Sequence, residues 1–104
     1  MFYICESVAA SPLPVSEEKI RTEIHPQHVR FVAAGVEEGW VVFGGPRTNG
    51  DGGAILIKAP SEEACRAHLA KDPMLIAGAQ SYRITEMRIF EHNPCLDPLL
   101  ADEN

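Results

Sequence analysis

Four short apolar runs along the chain predict β-strands. Each run is rich in aromatic or β-branched residues and is bounded by residues that favour turns. The runs are Phe2–Val8, Trp40–Gly45, Ala54–Lys58 and Ser81–Phe90. The stretch TNGDGG, Thr48–Gly53, separates the second run from the third and contains residues that tolerate positive φ. We therefore expect the second and third strands to form a hairpin.

Apolar residues at helical spacing predict a first helix after the first strand. Pro26 suits the first turn of this helix, and Gly39 can supply the left-handed residue that ends it. Ahead of it, Ser16 precedes two glutamates and can cap a helix. We expect a short separate helix there, within the long loop that includes Val15–Ile24.

A second helix is predicted after the hairpin. Ser61 precedes two glutamates and can cap its start, while Asp72 and Pro73 are expected to set its end. The order of elements is then β, α, β, β, α, β, which is typical of ferredoxin-like folds. The predicted fold class is α+β, a ferredoxin-like βαββαβ domain with an antiparallel four-stranded sheet.

One face of the predicted sheet is left without helices, and its apolar character predicts a homodimer. Two helices cover only one face, and the strands are too apolar for either face to meet solvent. We expect the open face to pack against the sheet face of a second copy, which would also hide apolar surface that so short a chain cannot bury alone. Residues 1–92 are expected to form the domain, and residues 93–104 a C-terminal tail that wraps the neighbour.

Composition and charge narrow the classes of protein. The chain has 104 residues, 45% of them hydrophobic and 23% charged, which fits one globular domain and argues against disorder. Its formal net charge of −6 is the wrong sign for a phosphate backbone, so nucleic acid is not an expected partner. No apolar run approaches the roughly 18 residues that span a bilayer, so we expect a soluble, cytoplasmic protein without a membrane partner. The 3 cysteines form no CxxC pair and are expected to be reduced and mostly structural.

Several short motifs occur in a characteristic order along the chain. They are His28 two residues after Pro26, GGP at Gly44–Pro46 after EEG, SEEA at Ser61–Ala64, and Asp72–Pro73 with AG five residues on. Across about Phe2 to Phe90, their order and spacing resemble the YCII-related family. This resemblance implies the dimeric α+β barrel fold, which muconolactone isomerase-like enzymes and small monooxygenases share. It also implies that His28 and Asp72 form an active-site pair.

Two positions depart from the pattern of that family. Many relatives carry Arg where this chain has His25, and an aromatic residue where it has Met74. The first change removes a planar group that could recognise an anion, and the second makes the pocket wall more adaptable. The resemblance therefore does not identify a substrate.

The chemistry of His28 and Asp72 suits proton transfer. An imidazole titrates near neutral pH, and a carboxylate can orient its tautomer and stabilise the imidazolium. A helix start and a helix end on the same side of two antiparallel helices could bring the pair into contact, and a helix N-terminus at His28 would favour the neutral base. Such a base could remove a proton next to a carbonyl or enol, which leads to isomerisation or elimination.

Four residues are expected to line a pocket for a small-molecule ligand. They are Gly45, Pro46, Arg47 and Met74. Gly45 and Pro46 could equally do no more than shape the turn, and Arg47 could face either an anionic ligand or solvent. The three large aromatic residues Trp40, Phe43 and Tyr82 are expected in the core or on the dimer surface.

Structural and metal-binding roles stay open at this point. A lone His in a first turn is commonly solvated or a structural hydrogen-bond partner, and an Asp before Pro commonly ends a helix. The pairs His25/His28 and His68/Asp72 have spacings that can place two metal ligands on one helical face. No HExxH or CxxC motif accompanies them, and Pro26 suggests that His25 lies outside the helix. We expect neither a metal nor a cofactor.

Three functions fit these residues. The first is a cofactor-independent lyase or isomerase that acts on a small cyclic or aromatic acid, with His28 as acid/base and Asp72 as its orienting partner. The second is a non-catalytic module that binds a small metabolite or regulates a larger enzyme. The third is a monooxygenase-like oxidation of an aromatic compound, which no residue favours.

Overall fold

The computed structural model describes residues 1–101. Its strands are β1 (Phe2–Ala9), β2 (Val41–Pro46), β3 (Gly53–Lys58) and β4 (Gln80–Met87). They form one antiparallel sheet in the order β2-β3-β1-β4. The four predicted strands are all present, although the last ends at Met87 and not at Phe90. The predicted fold class, an α+β ferredoxin-like domain, is confirmed.

The helices are capped where the sequence indicates. They are α1 (Glu17–Lys19), a π-helix (Ile20–Ile24), α2 (His25–Glu38), α3 (Glu62–Leu69), α4 (Pro73–Ile76), a 3-10 helix (Pro94–Leu96) and α5 (Asp97–Leu100). The hydroxyl groups of Ser16 and Ser61 each accept a backbone N–H at 3.1 Å in the first turn that follows. Gly39 ends α2 with φ of 90°, a conformation that glycine adopts without strain.

The prediction of a separate short helix before Pro26 is wrong. The chain is helical without a break from Glu17 to Glu38. Inside an α-helix, Pro26 would lack its N–H and its ring would clash with the carbonyl four residues earlier. The turn before it is widened instead, and the N–H of His25 bonds to the carbonyl of Ile20 in π-helical fashion. His25 therefore lies inside the helix and not outside it.

The core lies between the sheet and the helices, on one face of the sheet. Its buried residues come from three strands and from α3 with the segment before it. They are Tyr3, Cys5, Val41, Ile55, Ile57, Ala59, Cys65 and Leu69. Cys5 and Cys65 are fully buried, their sulfur atoms lie 3.7 Å apart, and both are free thiols. Cys5 and Cys65 are therefore part of the core, whereas the reduced state of the three cysteines stays a prediction.

The other face of the sheet carries a partly exposed apolar strip. Phe43, Leu56 and Ile4 lie next to one another across three strands, and Phe43 is 60% exposed. At one end of this face the ammonium group of Lys58 donates to the carbonyl of Leu99 at 2.8 Å, which holds the end of the described chain against the sheet.

Part of the predicted tail lies outside the described residues. These are residues 102–104, so the division at residue 92 and the wrapping of a neighbour stay predictions. Among the helices of residues 1–101, none has both the length and the apolar character needed to cross a membrane.

Candidate active site

Asp72 stands at the centre of a hydrogen-bond network beside the sheet. Its side chain is fully buried, and its Oδ1 atom accepts the backbone N–H of Met74 at 3.0 Å. The prediction that Asp72 ends the second helix is wrong, because α3 ends at Leu69 and Asp72 instead caps the start of α4. Pro73 fits the first position of α4 because no helical partner awaits its missing N–H. The cap fixes the carboxylate beside α2, which packs on α4.

His28 contacts this carboxylate directly. Its Nδ1 atom lies 2.8 Å from Oδ1 of Asp72, and the histidine side chain is 18% exposed. An ionised carboxylate can only accept a hydrogen bond, so Nδ1 carries the hydrogen and Nε2 holds the lone pair of the neutral ring. Within residues 1–101, Nε2 forms no hydrogen bond. The ring is therefore held by one nitrogen and presents the other as a proton acceptor.

The helix dipole does not act on His28 as the sequence suggested. That argument requires a helix N-terminus at this residue, but the helix starts at Glu17. His28 lies about three turns beyond that start, whereas dipole effects fade within the first turn. The contact with Asp72 replaces the dipole as the influence that orients the ring.

Two residues of β4 complete the network. The hydroxyl of Tyr82 donates to Oδ2 of Asp72 at 2.5 Å, and the amide nitrogen of Gln80 approaches the same oxygen at 3.2 Å. The Gln80 amide also donates to the Tyr82 hydroxyl at 3.0 Å. Residues two apart in a strand lie on one face, which places both side chains under the helices.

Burial and hydrogen bonding act in opposite directions on the acidity of Asp72. Burial alone raises the pKa of its carboxyl, but the hydrogen bonds from His28, Tyr82 and Met74 together outweigh burial and lower that pKa. For Tyr82, burial and the hydrogen bond to the Asp72 carboxylate raise the pKa of the phenol. Asp72 is therefore ionised and Tyr82 protonated around neutral pH.

The structure brings together only some of the predicted site residues. His28 and Asp72 are in contact, and Met74 joins them through its backbone N–H. Gly45 and Pro46 lie on β2, at the opposite edge of the sheet from β4, about 14 Å away for three strand spacings. Within one chain these two are not beside His28 and Asp72, and their role in ligand binding stays a prediction.

Arg47 is held by its own chain. Its guanidinium group donates to the Glu6 carboxylate at 3.3 Å, to the carbonyl of Ser7 at 2.6 Å and to the carbonyl of Asp51 at 2.5 Å. These contacts tie the loop of the β2–β3 hairpin to β1. A contact between Arg47 and a ligand stays a prediction.

The two pairs considered as metal ligands, His25/His28 and His68/Asp72, are not arranged as metal sites. The rings of His25 and His28 have centroids 5.7 Å apart, and the ring of His68 stacks on Trp40 at 4.2 Å. Asp72 lies beyond α3 and does not continue its helical face. In the part of the chain that the structure describes, no group of three or more His, Cys, Asp or Glu side chains could hold a metal ion.

The residues that sequence reasoning missed are Gln80 and the polar end of Tyr82. Tyr82 is packed against the core, as expected, but its hydroxyl belongs to the site. The available signal was the pair of hydrogen-bonding side chains at alternate positions of an otherwise apolar strand face. That signal does not name Asp72 as the partner.

An open cleft has Tyr82 among its lining residues, but not His28 or Asp72. Its volume is about 200 Å³. Its lining residues are Arg66, Leu69, Leu75, Ser81, Tyr82 and Ile84. The walls are mainly apolar, and they include the guanidinium group of Arg66, which donates to the Glu62 carboxylate at 3.1 Å.

The fold is that of the dimeric α+β barrel proteins, here with a His–Asp pair in which the aspartate is fully buried. Residues 1–88 match the family model of the YCII-related domain, and the chain belongs to this family. The resemblance seen in the sequence is thereby confirmed. No curated protein matches the sequence.

Two solved structures illustrate the shared fold. One is the 5-chloro-2-hydroxyhydroquinone dehydrochlorinase of Burkholderia phenoliruptrix AC1100, in complex with 2,5-dihydroxybenzoquinone; it is 14% identical with a TM-score of 0.67, and the match covers 89% of this chain and 99% of that one. The other is a muconolactone isomerase, 13% identical with a TM-score of 0.72, with 90% of this chain and 95% of that one covered. At these identities the likeness establishes the fold alone.

Proposed function

We propose that this protein is a cofactor-independent lyase or isomerase that moves a proton on a small cyclic or aromatic acid. His28 is the acid/base in this proposal, and Asp72 orients it. The observation that carries the proposal is the 2.8 Å contact between Nδ1 of His28 and a carboxylate that is fully buried. A neutral imidazole held in this way has a defined tautomer and a defined direction for its free lone pair.

The hydrogen bonds of Asp72 support this division of roles. A carboxylate has about four lone-pair sites, and four donors already occupy them. Oδ1 accepts from His28 and Met74, and Oδ2 accepts from Gln80 and Tyr82. Asp72 thus has no site left for a substrate. Nε2 of His28 is the basic atom of the network that remains available.

The proposed reaction begins with transfer of a proton from carbon to Nε2 of His28. The carbon is acidic because it lies next to a carbonyl or enol group, and Asp72 stabilises the imidazolium that forms. Return of the proton to another carbon gives isomerisation, while departure of a leaving group with its electron pair gives elimination. Of the two similar structures, the dehydrochlorinase is named for an elimination and the muconolactone isomerase for an isomerisation.

The cleft beside Tyr82 has a size and lining that suit part of a small ring compound, although His28 and Asp72 are not among its lining residues. Leu69, Leu75 and Ile84 give it apolar walls, and Arg66, whose guanidinium group is paired with Glu62 at 3.1 Å, also lines it. The ligand named for the dehydrochlorinase structure, 2,5-dihydroxybenzoquinone, is a compound of this size. Met74, partly buried and next but one to Asp72, is a proposed second contact.

The test measures exchange of carbon-bound hydrogen for deuterium in D2O, with proton NMR as the readout. The candidate substrates are a panel of cyclic and aromatic acids with enolisable or halogen-bearing carbons. Wild-type protein is expected to catalyse exchange or turnover of a member of the panel. His28→Gln should lower that rate about 100- to 10,000-fold, the usual contribution of a general base.

A matched control is available in His92→Gln. His92 also contacts an aspartate, with Nε2 2.8 Å from Oδ1 of Asp97, but this pair lies in the C-terminal segment, and Asp97 is exposed. The rate should be unchanged in that variant. Equal losses in both variants would contradict the role of His28, and binding of the acids without exchange would favour a metabolite-binding module.

We further propose that the open face of the sheet is covered by a second copy of the chain. Support comes from its exposed apolar side chains, with Val8 50%, Phe43 60% and Met87 38% exposed. Light scattering should give about twice the mass of 11.4 kDa. Phe43→Glu should yield monomers, whereas Val36→Glu, a change at an exposed position on α2, should not. A mass of one chain for the wild type would refute the dimer.

A further inference from the structure

Gln80, Tyr82 and Asp72 form a closed triangle of hydrogen bonds behind the histidine. The Tyr82 hydroxyl donates to Oδ2 of Asp72 at 2.5 Å, and the Gln80 amide donates to that oxygen at 3.2 Å and to the hydroxyl at 3.0 Å. The carboxylate is fully buried, so these bonds take the place of water around it. Hydrogen bonds of neutral donors to a buried anion are among the stronger ones in proteins.

We propose that Tyr82 is a positioning residue of the His28–Asp72 pair, and that Gln80 holds Tyr82 in place. The two donors fix Oδ2, so the carboxylate cannot rotate and Oδ1 stays directed at Nδ1 of His28. They also stabilise the anionic form of Asp72, which is the form that can accept the hydrogen bond from His28. The kinetic part of this inference rests on the proton-transfer function proposed above, but the positioning itself does not.

The geometry excludes Tyr82 as a direct proton donor to substrate. Its single hydroxyl hydrogen is directed at Asp72, and one lone pair of its oxygen is directed at Gln80. Burial and the neighbouring carboxylate both raise the pKa of the phenol, so it stays protonated around neutral pH. Tyr82 therefore acts through Asp72.

The amide of Gln80 has a complementary role. Its side-chain nitrogen donates one hydrogen to Oδ2 of Asp72 and the other to the hydroxyl oxygen of Tyr82. These two acceptors determine which way the amide group is oriented. A hydroxyl that accepts one bond and donates another is a stronger donor than an isolated one. Gln80 thus strengthens the bond from Tyr82 to the carboxylate.

The decisive experiment is a pH titration of the Asp72 side-chain carboxyl by ¹³C NMR. Tyr82→Phe keeps the ring and removes only the hydroxyl. We expect the midpoint of the Asp72 titration to rise by about one pH unit or more, a tenfold change in its acid constant. A midpoint that moves by less than about 0.3 units would overturn the inference, because a hydroxyl that stabilises the anion cannot be removed without that shift.

Two further variants keep the test independent of folding defects. Tyr3→Phe is the matched control, since Tyr3 is also a buried tyrosine of the sheet but its hydroxyl lies 3.8 Å from the sulfur of Met1 and is not bonded to Asp72. It should leave the Asp72 midpoint unchanged. Gln80→Met should raise the midpoint in the same direction as Tyr82→Phe, by a smaller amount, and an unchanged or lower midpoint would contradict the role of Gln80.

The outcome separates this inference from the proposed function. The NMR titration needs no substrate, so a raised midpoint in Tyr82→Phe together with an inactive wild type would refute proton-transfer catalysis and leave the positioning role intact. If the wild type is active, Tyr82→Phe should move the acid limb of the pH–rate profile to higher pH. It should also lower kcat about tenfold, with little change in KM. An active wild type with an unshifted midpoint and an unshifted acid limb in Tyr82→Phe would refute the inference alone.

Discussion

Nδ1 of His28 lies 2.8 Å from Oδ1 of Asp72, although 44 positions separate the two residues along the chain. The same oxygen accepts the backbone N–H of Met74 and so caps α4. One atom thus ties the start of a helix to the orientation of an imidazole on another helix. A change at Asp72 is therefore expected to affect both the stability of the fold and the state of His28.

The tautomer of His28 should depend on Asp72. In the wild type the carboxylate requires the hydrogen on Nδ1, so ¹⁵N NMR should show Nδ1 protonated and Nε2 unprotonated in the neutral ring. In Asp72→Asn the requirement disappears, and the tautomer should change or become mixed. Activity should fall about 100- to 10,000-fold.

Asp97→Asn is the control for that experiment. It removes the carboxylate that contacts His92 and should leave the His28 signals as they are. An unchanged His28 tautomer in Asp72→Asn would contradict the orienting role.

Stability at acid pH should report on Asp72 as well. Its pKa is lowered in the folded protein, so the unfolded chain takes up the proton first as pH falls. The ionised Asp72 carboxylate contributes its full stabilisation at pH values above its pKa in the unfolded chain, about 3.9. This stabilisation is lost as pH falls through the lower pKa that Asp72 has in the folded protein. Urea unfolding should therefore show a wild-type advantage over Asp72→Asn at neutral pH that shrinks below about pH 4. An advantage that stays constant down to acid pH would contradict this linkage.

Gly35 should be intolerant of any side chain. A Cβ at this position would lie 2.6 Å from Cγ2 of Val41 and 2.7 Å from the ring of Trp40. Gly35→Ala should lower the free energy of unfolding by about 1–3 kcal/mol, even though alanine favours helices. Gly45→Ala is the control, because nothing lies within 4 Å of a Cβ there. Similar losses in the two variants, measured by urea unfolding, would refute the close-approach explanation.

Arg47 should contribute to stability through the hairpin. Arg47→Ala removes bonds to Glu6 and to the carbonyls of Ser7 and Asp51, and should cost about 1–3 kcal/mol of unfolding free energy. Arg83 also pairs with Glu6, at 3.4 Å, but its side chain is 71% exposed. Arg83→Ala should therefore cost less than about 1 kcal/mol. A loss of ligand affinity in Arg47→Ala without a loss of stability would instead support a ligand contact.

The three thiols should differ sharply in reactivity. Cys5 and Cys65 are buried, whereas Cys95 is exposed. In the folded protein one thiol per chain should react quickly with a thiol-specific reagent, and the other two only after denaturation. Peptide mapping should identify the fast thiol as Cys95, and its replacement by serine should abolish the fast phase. Rapid labelling of Cys5 in the folded state would contradict its place in the core.

Local signals along the chain predict the helices and strands and their order. The period of two in the strands, the caps at Ser16 and Ser61, and Gly39 at the end of α2 are local signals, because each acts through atoms only a few residues apart. Two helices and four strands in this order leave few topologies, so the ferredoxin-like sheet followed. The sequence predicts a helix boundary at Pro26, but the helix continues through it. A proline can begin a new helix or follow a widened π-helical turn, and the local sequence does not distinguish the two.

The site, in contrast, depends on contacts between segments that lie far apart along the chain. Asp72 could end one helix or begin another, and the choice depended on how α4 packs against α2. Gln80 and Tyr82 joined the site because β4 lies beside β1 and turns this face toward Asp72. Such contacts form between groups far apart in sequence, and their energy depends on burial and on the geometry of the whole sheet. No local pattern of residues carries that information.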